Sequence, residues 1–179
     1  MHPLFEQLQS EISRSLAGLD AAQTQLRRAN APEKWTIQQI IQHLCLSYSS
    51  TDDVITNRLD KDKPTQAVPT AAQRCAQFVV TKMNFFPSGR EAPSIVAPHE
   101  APSSAASCMS GTMLAKETAR RLVRTDQFLE KAHLRFGSLR FASHGVLGPL
   151  STEQWRRFHL VHGRHHLKQI QAIRSDYKI

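Results

Sequence analysis

Apolar residues recur along this chain at intervals of three and four, the repeat of helices that bury one face. Leu4, Phe5, Leu8, Ile12, Leu16, Leu19 and Leu26 form the first such stripe and predict a helix over residues 4–28. A second stripe, Ile37, Ile40, Ile41, Leu44 and Tyr48, runs toward Leu59. It opens at Thr36-Ile37-Gln38-Gln39, where a threonine and a glutamine three residues on can each satisfy the other's free backbone N–H. The same capping pattern at Thr70-Ala71-Ala72-Gln73 predicts a third helix, ending before Pro87. Leu114, Thr118, Leu122, Thr125 and Leu129 place a fourth over about residues 112–132. Ser151-Thr152-Glu153-Gln154 caps a fifth, which carries Trp155, Phe158, His162, His166, Ile170 and Ile173 on one face as far as about Ser175. No segment shows a convincing two-residue alternation, so no strand is predicted.

Two stretches break the periodicity. Residues 87–111 hold Pro87, Pro93, Pro98 and Pro102 with several serines, Gly89 and Gly111; long loops of this kind serve as lids or connectors. Residues 136–150 hold His144, Gly145, Gly148 and Pro149. Neither an internal repeat nor a domain linker is visible. The expectation is one all-α domain over residues 1–179, an up-and-down four-helix bundle with an additional short helix and long loops.

Composition narrows the classes. A chain of 179 residues, 40% hydrophobic and 21% charged, can bury a sizeable core and is globular in character. The start, Met1-His2-Pro3-Leu4-Phe5-Glu6, lacks the basic-then-apolar order of a secretory signal, and no run approaches the ~20 apolar residues of a membrane span. A cytoplasmic protein without a membrane partner is expected. Three cysteines, Cys45, Cys75 and Cys108, are odd in number and lack C-x-x-C spacing, which favours reduced thiols over a disulfide framework or zinc knuckle. A net charge of +8 raises nucleic acid as a partner. The basic residues are scattered as Arg27-Arg28, Arg120-Arg121 and Arg156-Arg157, however, as solvated helix faces would have them.

Four of the nine histidines, His159, His162, His165 and His166, fall in one short run. At about 100° per residue, His162 and His166 sit within about 40° of each other, one turn apart on the core-facing stripe. Burying imidazoles there requires hydrogen-bond partners or a ligated ion, and histidines at i and i+4 are a chelating pair. The other reading is a polar, partly hydrated helix face near the bundle end. His43 lies at the edge of the second helix's stripe, beside Ile40 and Ser47. If the second and last helices are adjacent, His43 can face the pair and complete a three-histidine site; otherwise it is a hydrogen-bonded boundary residue. Three imidazoles leave coordination positions open, as in catalytic zinc sites.

The segment Trp35-Thr36-Ile37-Gln38-Gln39-Ile40-Ile41-Gln42-His43-Leu44 resembles the Trp-Ser/Thr-Ile…His-Leu opening of the second helix in the DinB/YfiT-like superfamily. His162-Gly163-Arg164-His165-His166-Leu167-Lys168-Gln169-Ile170 resembles that family's H-x-x-H-H-x-x-Q-I pattern, and Val146-Leu147-Gly148-Pro149-Leu150-Ser151 with Gln154-Trp155 is similar to one branch of it. The resemblance covers nearly the whole chain. It implies a four-helix-bundle core in which His43, His162 and His166 bind a divalent metal, most often zinc or nickel. It also implies a metal-dependent hydrolase, or an S-transferase using a low-molecular-weight thiol. Arg90, His99 and His144 match no substrate-binding residue of the family.

The leading expectation is therefore a metal at these three histidines that activates a water or a thiol for hydrolysis or group transfer. No H-E-x-x-H motif supplies a glutamate beside the ligands, which leaves His159, His165 and His144 as the candidate catalytic helpers. Gln169 is a candidate to orient a ligand or a plain helix-face glutamine, and Tyr48 a candidate for the pocket wall or the core. Cys45, about 200° around the helix from His43, is a poor nucleophile candidate. The alternatives are a non-catalytic, metal-stabilised or stress-associated module, a homodimer in that case, and a basic protein associated with nucleic acid.

Overall fold

A computed structural model describes residues 1–87, 92–99 and 107–179. Parts of the long irregular stretch, including Gly89, Arg90 and Pro102, lie outside the described residues. Among the described residues there are five α-helices: α1 (Pro3–Leu16), α2 (Ile37–Asp60), α3 (Ala71–Thr81), α4 (Gly111–Phe136) and α5 (Thr152–Tyr177). All three capping boxes form, at Thr36/Gln39, Thr70/Gln73 and Ser151/Gln154, so the phase of each inward face is set at its first turn. The all-α class holds.

The first helix is shorter than its stripe. It ends at Leu16, with Ala17 extended and Gly18 at φ +77, a left-handed position that glycine adopts without cost. Leu19 stays buried because the chain doubles back through a 3-10 turn at Gln23–Gln25, where Asp20 and Gln23 bond each other's backbone N–H. The apolar spacing thus continues in the core without a helix beneath it. Helix α3 also stops early, at Thr81, and Asn84 takes a positive φ just beyond.

The absence of strands needs correction too. Strands β1 (Ala142–His144) and β2 (Gly148–Leu150) pair antiparallel, with Ala142 opposite Leu150. Three residues per strand are too few to show an alternation. The hairpin is closed by the His144 ring, whose Nδ1 accepts the backbone N–H groups of Val146 (3.0 Å) and Leu147 (3.1 Å). Arg156 departs from the solvated-face expectation as well. It is 5% exposed and ion-paired to Asp126 at 3.1 Å and Glu130 at 3.2 Å.

Cross-helix pairs fix the direction of each element. Phe5 meets His159 and Glu11 meets Arg164, so α1 and α5 run parallel. His43 meets His162 while Thr51 meets His159, so α2 and α5 run antiparallel. Cys45 meets Thr118 and Asp52 meets Thr125, so α2 and α4 run parallel. In chain order the bundle therefore runs up, down, down, up, where strict alternation would set α4 against α2. Helix α2 has 24 residues and spans about 36 Å at ~1.5 Å per residue, and residues 61–110 must retrace that length before α4 begins. This crossover carries α3, which packs against α5. The core between the helices holds Phe5, Leu8, Ile12, Ile40, Leu44, Leu122, Leu129, Trp155 and Ile170, all at most 2% exposed. Each such side chain contributes roughly 1.5–3 kcal/mol on burial.

Candidate metal centre

His43 projects from α2, and His162 and His166 project one turn apart from α5. All three are buried. The Nε2 of His162 lies 3.1 Å from the Nε2 of His43 and 3.1 Å from that of His166. One nitrogen from each ring lies within 4.8 Å of the others. Four-coordinate zinc with bonds of about 2.0–2.1 Å separates its donors by roughly 3.3 Å, so the spacing suits a shared ion.

The outer ring nitrogens decide what the inner ones offer. His43 Nδ1 is 2.7 Å from the Val96 carbonyl, which can only accept, so that nitrogen carries the proton and Nε2 keeps its lone pair. His166 Nδ1 bonds Gln169 Oε1 at 3.0 Å, with the same consequence. His162 Nδ1 is buried without a partner among the described residues, and the ring is held instead between Phe158 (stacked, centroids 5.3 Å apart) and Phe86 (5.0 Å). Two inward lone pairs thus face one ring that can donate a single proton. A cation would satisfy all three nitrogens at once.

Protons are a poor substitute for that cation. Burial pushes the His43 imidazole below its ordinary value, against the opposing pull of the Val96 carbonyl. His162 is driven well below by burial and then by His166 and His43. His166 falls to about 3 through burial and the proximity of His43, although its bond to Gln169 pulls the other way. At neutral pH all three rings are uncharged donors, the form that a divalent ion requires.

The remaining candidates separate by location. His165 is half-buried at the rim, 5.2 Å from the Phe86 ring, with its Nε2 3.3 Å from Gln169 Nε2. Gln169 therefore bridges His166 and His165. His159 is fully buried among Phe5, Tyr48 and Trp155, with Thr51 Oγ1 at 3.0 Å from its Nε2, and burial lowers it to about 3. His144 is held in the hairpin, and Phe158 stands between it and His162. Tyr48 is fully buried and packs in the core. Burial raises the Cys45 thiol to about 11, and its sulfur faces Thr118, so a thiolate there is disfavoured.

Trp35 covers the cluster from outside, its ring 5.0 Å from His43 and 6.1 Å from His166. Sequence reasoning missed Phe86 and the Val96 carbonyl. Phe86 follows the end of α3 with no periodic neighbour to mark it, and a backbone carbonyl has no residue signature at all.

The model of the DinB superfamily matches residues 4–170. The chain belongs to the DinB superfamily. Comparison with curated proteins and with solved structures finds no match. As a DinB-superfamily chain with a buried three-histidine cluster, the protein has a group able to hold a metal ion. No helix among the described residues is long and apolar enough to cross a membrane.

Proposed function

We propose that this chain binds one divalent metal ion through the Nε2 atoms of His43, His162 and His166 and acts as a metal-dependent hydrolase or group transferase. The observation that carries the reading is the convergence of three neutral imidazoles with no fourth protein ligand in the group among the described residues. Three neutral donors suit zinc or nickel. Such an ion, when bound, supplies a Lewis acid that polarises a substrate group and acidifies a water or low-molecular-weight thiol beside it.

The protein's own part is to hold and enclose. Val96 and Gln169 fix two of the rings, while Phe158 and Phe86 clamp the third. Trp35 and Phe86 shield the cluster from bulk water on two sides. His165 is the half-buried polar group on the rim next to the ligands, positioned by Gln169 to meet a substrate.

Elemental analysis tests the metal. The wild-type protein should carry about one equivalent of zinc or nickel and His162→Ala should carry almost none; undiminished metal in that variant would defeat the ligand assignment. Turnover of small electrophiles with added thiols, and of hydrolysable esters and amides, tests the chemistry. Full metal loading that raises the melting temperature without turnover would instead favour an ion that only ties α2 to α5.

A further inference from the structure

Residues 92–99 cross the N-terminal part of α2 and are tied to it at two points. The Val96 carbonyl accepts from His43 Nδ1 at 2.7 Å, and the His99 carbonyl accepts from Gln39 Nε2 at 3.0 Å. Gln39 and His43 are four residues apart, one above the other on the same face of the helix. A 3-10 turn at Ser94–Val96 leads into the first tie and orients the Val96 carbonyl; Val96 N–H bonds Pro93 O at 3.0 Å and Ala97 N–H bonds Ser94 O at 3.2 Å.

Gln39 is buried at 7% exposure, and its amide does two jobs. Its Oε1 accepts the Thr36 N–H in the capping box at 3.0 Å, and its Nε2 holds the strap. The capping pattern explains the oxygen. The nitrogen is left over from that role, and it points at the segment that sets the proton position on His43.

We propose that Gln39 is a positioning residue for the metal centre: by anchoring residues 92–99 it holds the Val96 carbonyl against His43 and thereby fixes that ring's tautomer and angle for ligation. This rests on the reading of His43, His162 and His166 as ligands. Ligation at Nε2 makes Nδ1–H a stronger donor, so an ion tightens the bond to Val96. By linkage, the strap raises ion affinity by the same factor that the ion tightens the strap. Outer hydrogen bonds to ligating histidines are typically worth about 10–100-fold in affinity.

Two variants separate the strap from the cap. Gln39→Met loses both bonds of the amide without adding charge, whereas Thr36→Ala weakens the cap and leaves the strap tied. Nickel and zinc affinities are measured by competition with a chromophoric chelator on the full chain. Amide hydrogen exchange is followed at Val96 and Ala97, with and without metal. Gln39→Met should weaken binding by about 10–100-fold and Thr36→Ala by less than about twofold. Added metal should slow exchange at Val96 and Ala97 in the wild type but not in Gln39→Met. Equal affinity in the two variants, or wild-type exchange indifferent to metal, overturns the proposal while leaving the three-histidine site standing. A wild-type chain that takes up neither ion overturns both.

Discussion

Asp52 is only 3% exposed, and its carboxylate takes a 2.7 Å hydrogen bond from Thr125 and lies 3.2 Å from Arg124. Burial outweighs both and raises its pKa to about 6. The folded chain therefore holds this proton more tightly than the unfolded chain, whose aspartate titrates near 4. The stability this adds is fully present below about pH 4 and is lost as pH rises through about 6. His159 and His166, lowered to about 3, act in the opposite sense and lose stability as pH falls below about 6.5. A comparison with Asp52→Asn isolates the first effect. The wild type should gain on the order of 1 kcal/mol relative to the variant between pH 7 and pH 4.5, after allowance for solvent screening of the carboxylate. Paired urea titrations at the two pH values measure it, and a constant difference would count against a raised Asp52. Gln169→Leu removes the acceptor on His166 Nδ1 and should weaken metal binding about 10-fold or more while the far-ultraviolet circular dichroism stays unchanged. The pairing of His162 with His166 at this scale was legible because i, i+4 spacing is a property of sequence. Val96 was not, because what it contributes is main chain.

Elements were legible where side chains announce their own ends. Ser151, Thr36 and Thr70 each mark a helix start within one residue, because a hydroxyl at the cap and a glutamine three residues later leave little else for those backbone groups to do. Ser151→Ala should cost about 1 kcal/mol, read as a lowered urea midpoint with an unchanged slope. Where α1 ends was hidden by Leu19 and Leu26, which kept the apolar spacing after the helix had stopped. The physical stop is a tertiary contact as much as Gly18. Gly111, the first residue of α4, donates its N–H to the Leu19 carbonyl at 2.9 Å, and a Cβ there would stand 2.1 Å from the Leu16 carbonyl oxygen. Gly111→Ala should therefore destabilise the fold by about 1–3 kcal/mol despite alanine's better helix propensity. A melting temperature equal to wild type would show that the two helix ends can part freely.

For the whole molecule, the bundle was legible in the stripes and its chain order was not. Nothing in the periodicity of α2 or α4 says that they run side by side in the same direction; that depends on the long return through residues 61–110. Metal binding should report on the whole fold, since His43 on α2 and His162 with His166 on α5 join helices distant in sequence. At a free ion concentration about 100 times the dissociation constant, stability should rise by about 2.7 kcal/mol. A chelator should reverse the gain in calorimetry. A melting curve unmoved by zinc and nickel alike would mean that no ion binds the native state preferentially.

The returning limb has a further consequence for how such a molecule can be altered. Trp35 apart, the walls of the cluster outside α2 and α5 come, among the described residues, from Phe86 and the turn at Ser94–Val96, both on that limb and outside the four long helices. Replacing Phe86 or the residues of the Ser94–Val96 turn would reshape that wall and at the same time loosen the hold on His162 and His43. The enclosure of the cluster and the setting of its rings are therefore coupled in this architecture, and neither can be exchanged without the other.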